Sequence, residues 1–487
     1  MVKPFALPLA AALLLSACSM APDHKRPAMP TAPAYPADGA PIADAGPRAT
    51  DIAWQDFFAD PRLDALIGAA LQNNRDLRTS VLRIEEARAQ YRITRADRLP
   101  TIDASGGYTR TRIGASGVTS GGTGPGTGGG TGTGTPIVTT GSTTIERYEA
   151  NLGVASFEVD FWGRVKSLSD AARYTYLATV EAQRAFRISL IADVADTYLQ
   201  LREIEERIAL AERTVTARER GLEIARLRLD AGVTSALDFR QTETLLTQAQ
   251  TELAALHLQQ AQTRNALDVL VGGPVAAPLP AALPLTEQGI VENIAPGLPS
   301  ELLTNRPDIL AAEDQLRAAG VNIGAARAAF FPRISLTGLL GFASTALSGL
   351  FENDSFTWTV GGTASVPLFD FGRNAGNLDL AKVRKDIQVA NYERTVQTAF
   401  REVADGLAAR RYLADQLTAQ QRALAAQRDR AELATLRYRN GVAGYIEVLD
   451  AERELFAAEQ VVVQTRRQQL SNAVDLYVAL GGGLGER

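Results

Sequence analysis

Two carboxylates near the C-terminus have the spacing of a functional pair. Glu447 and Asp450 follow Gly441 and stand at i and i+3 of a predicted helix, which places both side chains on one helix face. Repeated by symmetry around a constriction, such a face would form a ring of carboxylates that selects cations. A solvated helix face has the same pattern, so both interpretations stay open. No histidine accompanies the pair, and the sequence contains no nucleophile elbow or cofactor loop. We therefore predict no active site, no cofactor and no enzymatic activity.

The counts of other reactive residues narrow the chemistry further. One Cys excludes an intramolecular disulfide and a cysteine metal cluster. His24 and His257 do not have the spacing of zinc ligands, so we predict no metal site. The net charge is −5 and there is no basic block, so nothing indicates a nucleic-acid partner.

The single cysteine, Cys18, is predicted to carry a lipid. Lys3 and the apolar run from Phe5 to Leu15 are typical of a secretory signal, and the run is shorter than the roughly 20 residues of a spanning helix. Residues 15–18 read Leu-Ser-Ala-Cys and resemble the bacterial lipobox, in which the thiol becomes the lipid attachment point. Ser19 follows instead of Asp, which favours delivery to the outer membrane. An incidental cysteine in an ordinary signal peptide is the alternative.

The elements that must position these residues are duplicated. Gly232 and Gly441 are 209 residues apart, and each separates a very long helical stretch from a second helix. The same offset relates the Gly-Arg pairs at 163–164 and 372–373, and the Gly-Gly pairs at 272–273 and 481–482. Three landmarks with one offset indicate a tandem repeat.

Each repeat is predicted to contain a helix, a β-hairpin, a long helix and a second helix. Helices are expected over 60–99, 164–230 and 236–270, and again over 300–331, 373–440 and 445–480. About 67 residues of uninterrupted helix would extend about 100 Å. Apolar residues at spacings of three and four predict a buried stripe along the first long helix, made of Ile188, Ile191, Val194, Tyr198, Leu201, Ile204 and Ile208.

The hairpins have the pattern of membrane-crossing strands. Apolar residues alternate with small or polar ones around 102–108, 148–154, 334–342 and 356–366. Strands of about 9–11 residues cross a bilayer when tilted. A soluble sandwich is the alternative, but two hairpins lack the other strands that it needs. Four strands cannot close a barrel of useful bore, and lipid does not tolerate open sheet edges, so copies of the chain must pool their strands. The Gly/Thr/Ser-rich stretch 114–141 is predicted to be a water-exposed loop.

These elements divide the chain into five segments. They are a signal peptide (1–17), a lipidated N-terminal tether (18–59), the first repeat (60–273), a proline-rich connector (274–299) and the second repeat with a C-terminal tail (300–487).

Over nearly all of the mature chain, the sequence resembles the TolC family of outer-membrane efflux factors, in its lipoprotein branch. The most specific segments are Asn305–Ile309, Ala318–Ile334 and Asp370–Arg373, in this order. The resemblance implies an α+β membrane protein, in which three copies supply four strands each to a 12-stranded transmembrane β-barrel. Their long helices would form a hollow α-barrel through the periplasm, with the connector 274–299 in an equatorial belt around it.

The resemblance also implies a function. The homotrimer would be a passive conduit in the lipid of the outer membrane for drugs or other small molecules. An inner-membrane resistance–nodulation–division pump would deliver them through a periplasmic adaptor. An exit duct for secreted proteins or metal ions is the alternative. A lipid-anchored adaptor is disfavoured, because adaptors have one helical hairpin instead of two duplicated units.

A periplasmic gate is expected at the turns after the two long helices, because an open tube would leak. Family members have acidic residues at the positions of Glu447 and Asp450, and threefold symmetry would make a set of six carboxylates. By the same resemblance, Asp238 matches a residue that bonds a tyrosine at the position of Tyr438. The family's best-known lock uses an Arg where this chain has Ala443, so that second latch is not carried over.

Overall fold

The computed structural model describes residues 20–36, 46–114, 118–119, 137–138, 142–274 and 278–485. The predicted signal peptide, Cys18 and most of the 114–141 loop lie outside the described residues. The chain divides into two compact units. One contains residues up to 27 with 85–178 and 313–391, and the other contains 28–84, 179–312 and 392–487.

Long helices repeat at the offset seen in the sequence. The longer helices are α1 (Pro61–Asn73), α2 (Arg75–Ala96), α3 (Arg164–Asp230), α4 (Ala236–Val271), α5 (Pro307–Ala328), α6 (Arg373–Arg439) and α7 (Tyr445–Ala479). Helices α3 and α6 have 67 residues each and are related by the 209-residue offset, as are the first residues of α4 and α7. Short helical turns lie at Ala49–Asp51, Trp54–Phe57, Leu285–Glu287, Pro299–Glu301, Leu302–Asn305, Leu347–Gly349 and Asn353–Ser355. The tandem repeat is confirmed. Within the described ranges, no helix combines the length and the apolar character needed to cross a membrane.

The prediction of one helix over 60–99 is wrong, because Asn74 divides it into α1 and α2. The side-chain oxygen of Asn74 accepts a hydrogen bond from the Leu77 amide at 2.8 Å, which caps α2, and its Nδ2 donates to the Leu270 carbonyl at 2.8 Å. Asparagine competes with the helix for backbone groups and therefore favours such caps.

The helix predicted over 300–331 is interrupted in the same way. Arg306 is extended because the residue before a proline avoids the helical region, and Pro307 then opens α5. Arg306 Nη1 donates to the Ala479 carbonyl at 3.0 Å. Ala479 stands 209 residues after the Leu270 that Asn74 contacts, so both breaks are tied to the last turn of their repeat's final helix.

Four antiparallel strands form one sheet in sequence order. They are β1 (Asp103–Ile113), β2 (Thr143–Val159), β3 (Arg333–Ser344) and β4 (Phe356–Ser365). Strand β2 of the first repeat pairs with β3 of the second, and a register shift lies between Val154 and Phe157. In part of the predicted loop, Val118–Thr119 pairs with Ile137–Val138.

The apolar face of this sheet is open in the single chain. Trp358 is 70% and Val360 is 76% exposed, and Tyr108, Leu152 and Leu340 are also exposed. A sandwich would cover these side chains. The described chain therefore does not have the sandwich arrangement, and β1 and β4 are sheet edges.

The core of the second unit includes the predicted stripe of α3, since all seven of its side chains are buried. Aromatic residues contribute the largest buried groups. The rings of Phe57 and Tyr477 stack with centroids 4.0 Å apart, and the Tyr477 hydroxyl donates to the Ile52 carbonyl at 2.7 Å. The Tyr198 hydroxyl donates to Asp60, which also caps α1.

The described part of the predicted tether contacts helices. In the first unit, His24 and Arg26 contact Glu313 of α5 at 3.2 and 2.7 Å, and Arg327 donates to the Met20 carbonyl at 3.0 Å. In the second unit, the Tyr35 ring stacks on Phe400. A proline-rich segment cannot build its own core, but an extended chain can dock on an existing helix.

Candidate functional site

The turns that end the two long helices have the same backbone design. Gly232 and Gly441 are left-handed, with φ of 73° and 71°. After Gly232, the Val233 amide donates to the Arg228 carbonyl at 2.9 Å, and the second repeat has the same bond from Val442 to Arg437. This is a Schellman ending, which favours glycine at the left-handed position because a Cβ there is strained. The turns therefore give the following helices α4 and α7 a fixed start.

Asp238 is held by its own helix. Its carboxylate accepts hydrogen bonds from the hydroxyls of Ser235 and Thr234 at 2.8 and 3.0 Å, and from the Ser235 amide at 3.2 Å. The Ser235 hydroxyl in turn accepts from the Asp238 amide, which completes a capping box. These bonds, chiefly that from the Ser235 hydroxyl, lower the pKa of Asp238, and the positive charge of Arg228 lowers it further.

Tyr438 contacts two other residues near the turns. Its ring packs against that of Tyr445 with centroids 4.9 Å apart, and the guanidinium of Arg228 lies 5.4 Å from its ring centre. Within the described part of one chain, Tyr438 and Asp238 form no hydrogen bond with each other. The predicted bond between them therefore remains a proposal for contacts between chains.

Both predicted carboxylates are paired with arginines of the same chain. Arg437 lies 3.4 Å from Glu447, and Arg453 lies 2.6 Å from Asp450. Arg430 also forms an ion pair with Asp450. The helix spacing of the carboxylates is as predicted, but the arginines that face them were missed.

The positive and negative side chains around Glu447 and Asp450 are equal in number. Arg453 also contacts Glu454 at 3.2 Å, so three guanidiniums face three carboxylates. We call this set, made of Arg430, Arg437, Glu447, Asp450, Arg453 and Glu454, the turn ion-pair cluster. Each member is partly or largely exposed, so each pair contributes about 0–1 kcal/mol to stability. Within one chain the carboxylates are therefore not a bare acidic face.

Signals for two of these arginines were present in the sequence. Arg453 follows Asp450 at i+3 on one helix, which brings the two side chains together. Arg228 and Arg437 are 209 residues apart and each stands four residues before the glycine of its turn. In the second repeat this arginine contacts Glu447, and in the first it lies close enough to Asp238 to affect its pKa. The described residues include no group of three or more His, Cys, Asp or Glu side chains that could hold a metal ion. Cys18 lies outside the described residues.

The sequence pattern of the outer membrane efflux protein family matches residues 66–273 and 298–482, which is most of the chain in two parts. The chain belongs to this family. The solvent efflux pump outer membrane protein SrpC of Pseudomonas putida is 43% identical over 486 residues, which cover 98% of each chain. The outer membrane protein OprJ of Pseudomonas aeruginosa is 43% identical over 479 residues, covering 98% of this chain and 95% of OprJ.

The fold agrees with solved channels. The open state of the Neisseria gonorrhoeae MtrE outer membrane channel superimposes with a TM-score of 0.83 at 39% identity, covering 96% of this chain and 99% of that one. The predicted outer-membrane efflux protein, with long helices and four antiparallel strands in each chain, is therefore confirmed.

Proposed function

We propose that three copies of this chain form the outer-membrane channel of a three-part efflux system. The observation that supports this most directly is the sheet. Its apolar face is exposed, the outer edges of β1 and β4 have no neighbouring strand in the described chain, and four strands cannot close a barrel alone. Lipid would cover the exposed face, and neighbouring copies would pair the edges to give 12 strands.

The proposed cargo is small and apolar, such as an aromatic solvent or a hydrophobic drug. SrpC, at 43% identity over nearly the full chain, is named for solvent efflux. An inner-membrane resistance–nodulation–division pump would supply the energy and a periplasmic adaptor would join the two, so the channel itself would be passive and not an enzyme. Export of proteins or metal ions is the second candidate.

A lipid on Cys18 and a gate at the turns complete the proposal. Asp238 and Tyr438 would latch the turns of neighbouring chains, and Glu447 and Asp450 would line the constriction together with their arginines. The similar channel MtrE has been solved in an open state. Replacing Tyr438 with Phe and Asp238 with Ala together is expected to raise single-channel conductance in planar bilayers. Unchanged conductance would remove the latch.

The function is tested in a bacterial strain that lacks its own outer-membrane channels but keeps a matching pump and adaptor. Expression of the full chain is expected to restore toluene tolerance, and a variant with Thr359→Pro in β4 is not. Thr359 pairs with Leu339 in the sheet, and proline cannot donate a ladder hydrogen bond. Restored export of a metal ion or of a secreted protein, without toluene tolerance, would favour the second candidate.

A further inference from the structure

Helix α3 has a single glycine in its 67 residues, and a tyrosine lies directly over it. The glycine is Gly221, and a Cβ built there would be 2.8 Å from the hydroxyl oxygen of Tyr445, the first residue of α7. Real Cβ atoms essentially never come so close to another heavy atom. Any larger residue at position 221 therefore forces the tyrosine ring to move.

The Tyr445 ring also has contacts away from Gly221. It packs against Tyr438 of α6, and both tyrosines border a buried cluster that includes Ala434 and Val448. Burial raises the pKa of the Tyr445 phenol to about 12, so the group is neutral at physiological pH.

These contacts connect the helical hairpin α3–α4 of the first repeat with the helical hairpin α6–α7 of the second. Arg228 of α3 lies over Tyr438, Tyr438 packs on Tyr445, and Tyr445 lies on Gly221 of α3 again. The tyrosine pair is therefore held to α3 at two points, seven residues apart on that helix. Seven residues are about two helical turns, which places both points on one face of α3.

The contact between Gly221 and Tyr445 has no counterpart in the other repeat. At the 209-residue offset, Arg430 stands in place of Gly221 and Ala236 in place of Tyr445. The equivalent positions of the other repeat therefore cannot form the same contact.

We propose that Gly221 is the seat that keeps the gate closed, with Tyr445 docked on it to join α7 to α3 until opening lifts the ring away. This inference rests on the proposed channel function and on a gate at the turns. Gly221 is a positioning residue, because it acts through Tyr445 and touches no cargo.

The test uses Gly221→Ala in the full acylated protein, measured as open fraction in planar bilayers. Losing one aromatic contact shifts an equilibrium by about two- to tenfold, so we expect the open fraction to rise by about that factor. The matched control is Gly376→Ala on the other long helix, where an added Cβ meets nothing within 4 Å. It gains the same helix propensity without moving a neighbour, and its open fraction should equal that of the wild type.

A second variant separates the contact from a general change in the helix. Tyr445→Phe removes the hydroxyl that an alanine at 221 would strike, so the double variant Gly221→Ala/Tyr445→Phe should return to the open fraction of Tyr445→Phe alone. A double variant with the same open fraction as Gly221→Ala would contradict the proposed role of Gly221. The same holds if the wild-type channel conducts and Gly221→Ala has the wild-type open fraction. Absence of any conductance in the wild type would instead refute the proposed channel function and this inference with it.

Discussion

In the proposed gate at the turns, ion selectivity should depend on arginines as much as on carboxylates. In the turn ion-pair cluster, three positive and three negative side chains balance in each chain. Replacing Arg430 and Arg437 with Gln removes two positive charges and leaves the turn ion-pair cluster of each chain with a net charge of −2. In the proposed trimer, the ring would change from neutral to strongly acidic, which is the arrangement that favours cations.

The double replacement should not unfold the chain. Two unit charges 3.4 Å apart, as in the Arg437–Glu447 pair, interact by about 1 kcal/mol in water, and side-chain exposure of 55% and 42% keeps the pair close to that limit. The effect on selectivity should nevertheless be large, because the change is repeated in every copy around one narrow passage.

The assay is the reversal potential of single channels in a tenfold KCl gradient, where perfect cation selectivity gives about 59 mV. We expect the wild type to lie near zero and the double variant to move toward the cation limit. The shift should shrink at 1 M salt, where the Debye length is about 3 Å, compared with about 10 Å at 0.1 M. Arg422→Gln is the control, since Arg422 lies on the same helix α6 outside the cluster. A reversal potential that is the same in the wild type and the double variant would refute the reasoning.

Three further substitutions test the packing of the fold. Each is measured by thermal unfolding, monitored by the circular dichroism signal of the helices. Asn74→Ala removes a helix cap and the bond to Leu270, and should cost about 1–2 kcal/mol; no loss would show that the helix break is not needed. Phe57→Ala removes a fully buried ring stacked on Tyr477 and should cost about 3–5 kcal/mol, whereas a cost below 1 kcal/mol would contradict the assigned core. Burial raises the pKa of Asp196 to about 7, so the folded chain keeps a proton that the unfolded chain loses near pH 4, and stability should fall as the pH rises from about 4 to 7. Asp196→Asn should flatten this dependence, and an unchanged pH profile would contradict it.

Structural elements marked by a repeat or by a regular spacing of residues could be predicted from the sequence, whereas single contacts between distant residues could not. The 209-residue offset located both long helices because glycines at their ends are required by the left-handed turn. The buried stripe of α3 followed from its spacing. The break at Asn74 was missed because an apolar face continues across a cap without a change of period. The break at Arg306 did have a signal in Pro307, because the residue before a proline avoids the helical region.

The contacts near the turns at Gly232 and Gly441 were also hard to predict. Arg453 follows Asp450 at i+3 on α7, so helix spacing alone could have predicted that pair. Arg430 reaches Asp450 from α6, and no spacing rule within one helix predicts a pairing across two helices. The contact at Gly221 could not be predicted from the sequence, because it depends on a tyrosine 224 residues later in the chain. The Tyr438–Tyr445 pair likewise joins two helices across a turn.

The number of chains in one channel tests the central claim most directly. Native mass spectrometry of the protein, extracted from outer membranes in mild detergent, should give a particle of three chains. A stable particle with one chain, its apolar strand face covered by its own residues, would contradict the shared barrel and the channel function that depends on it.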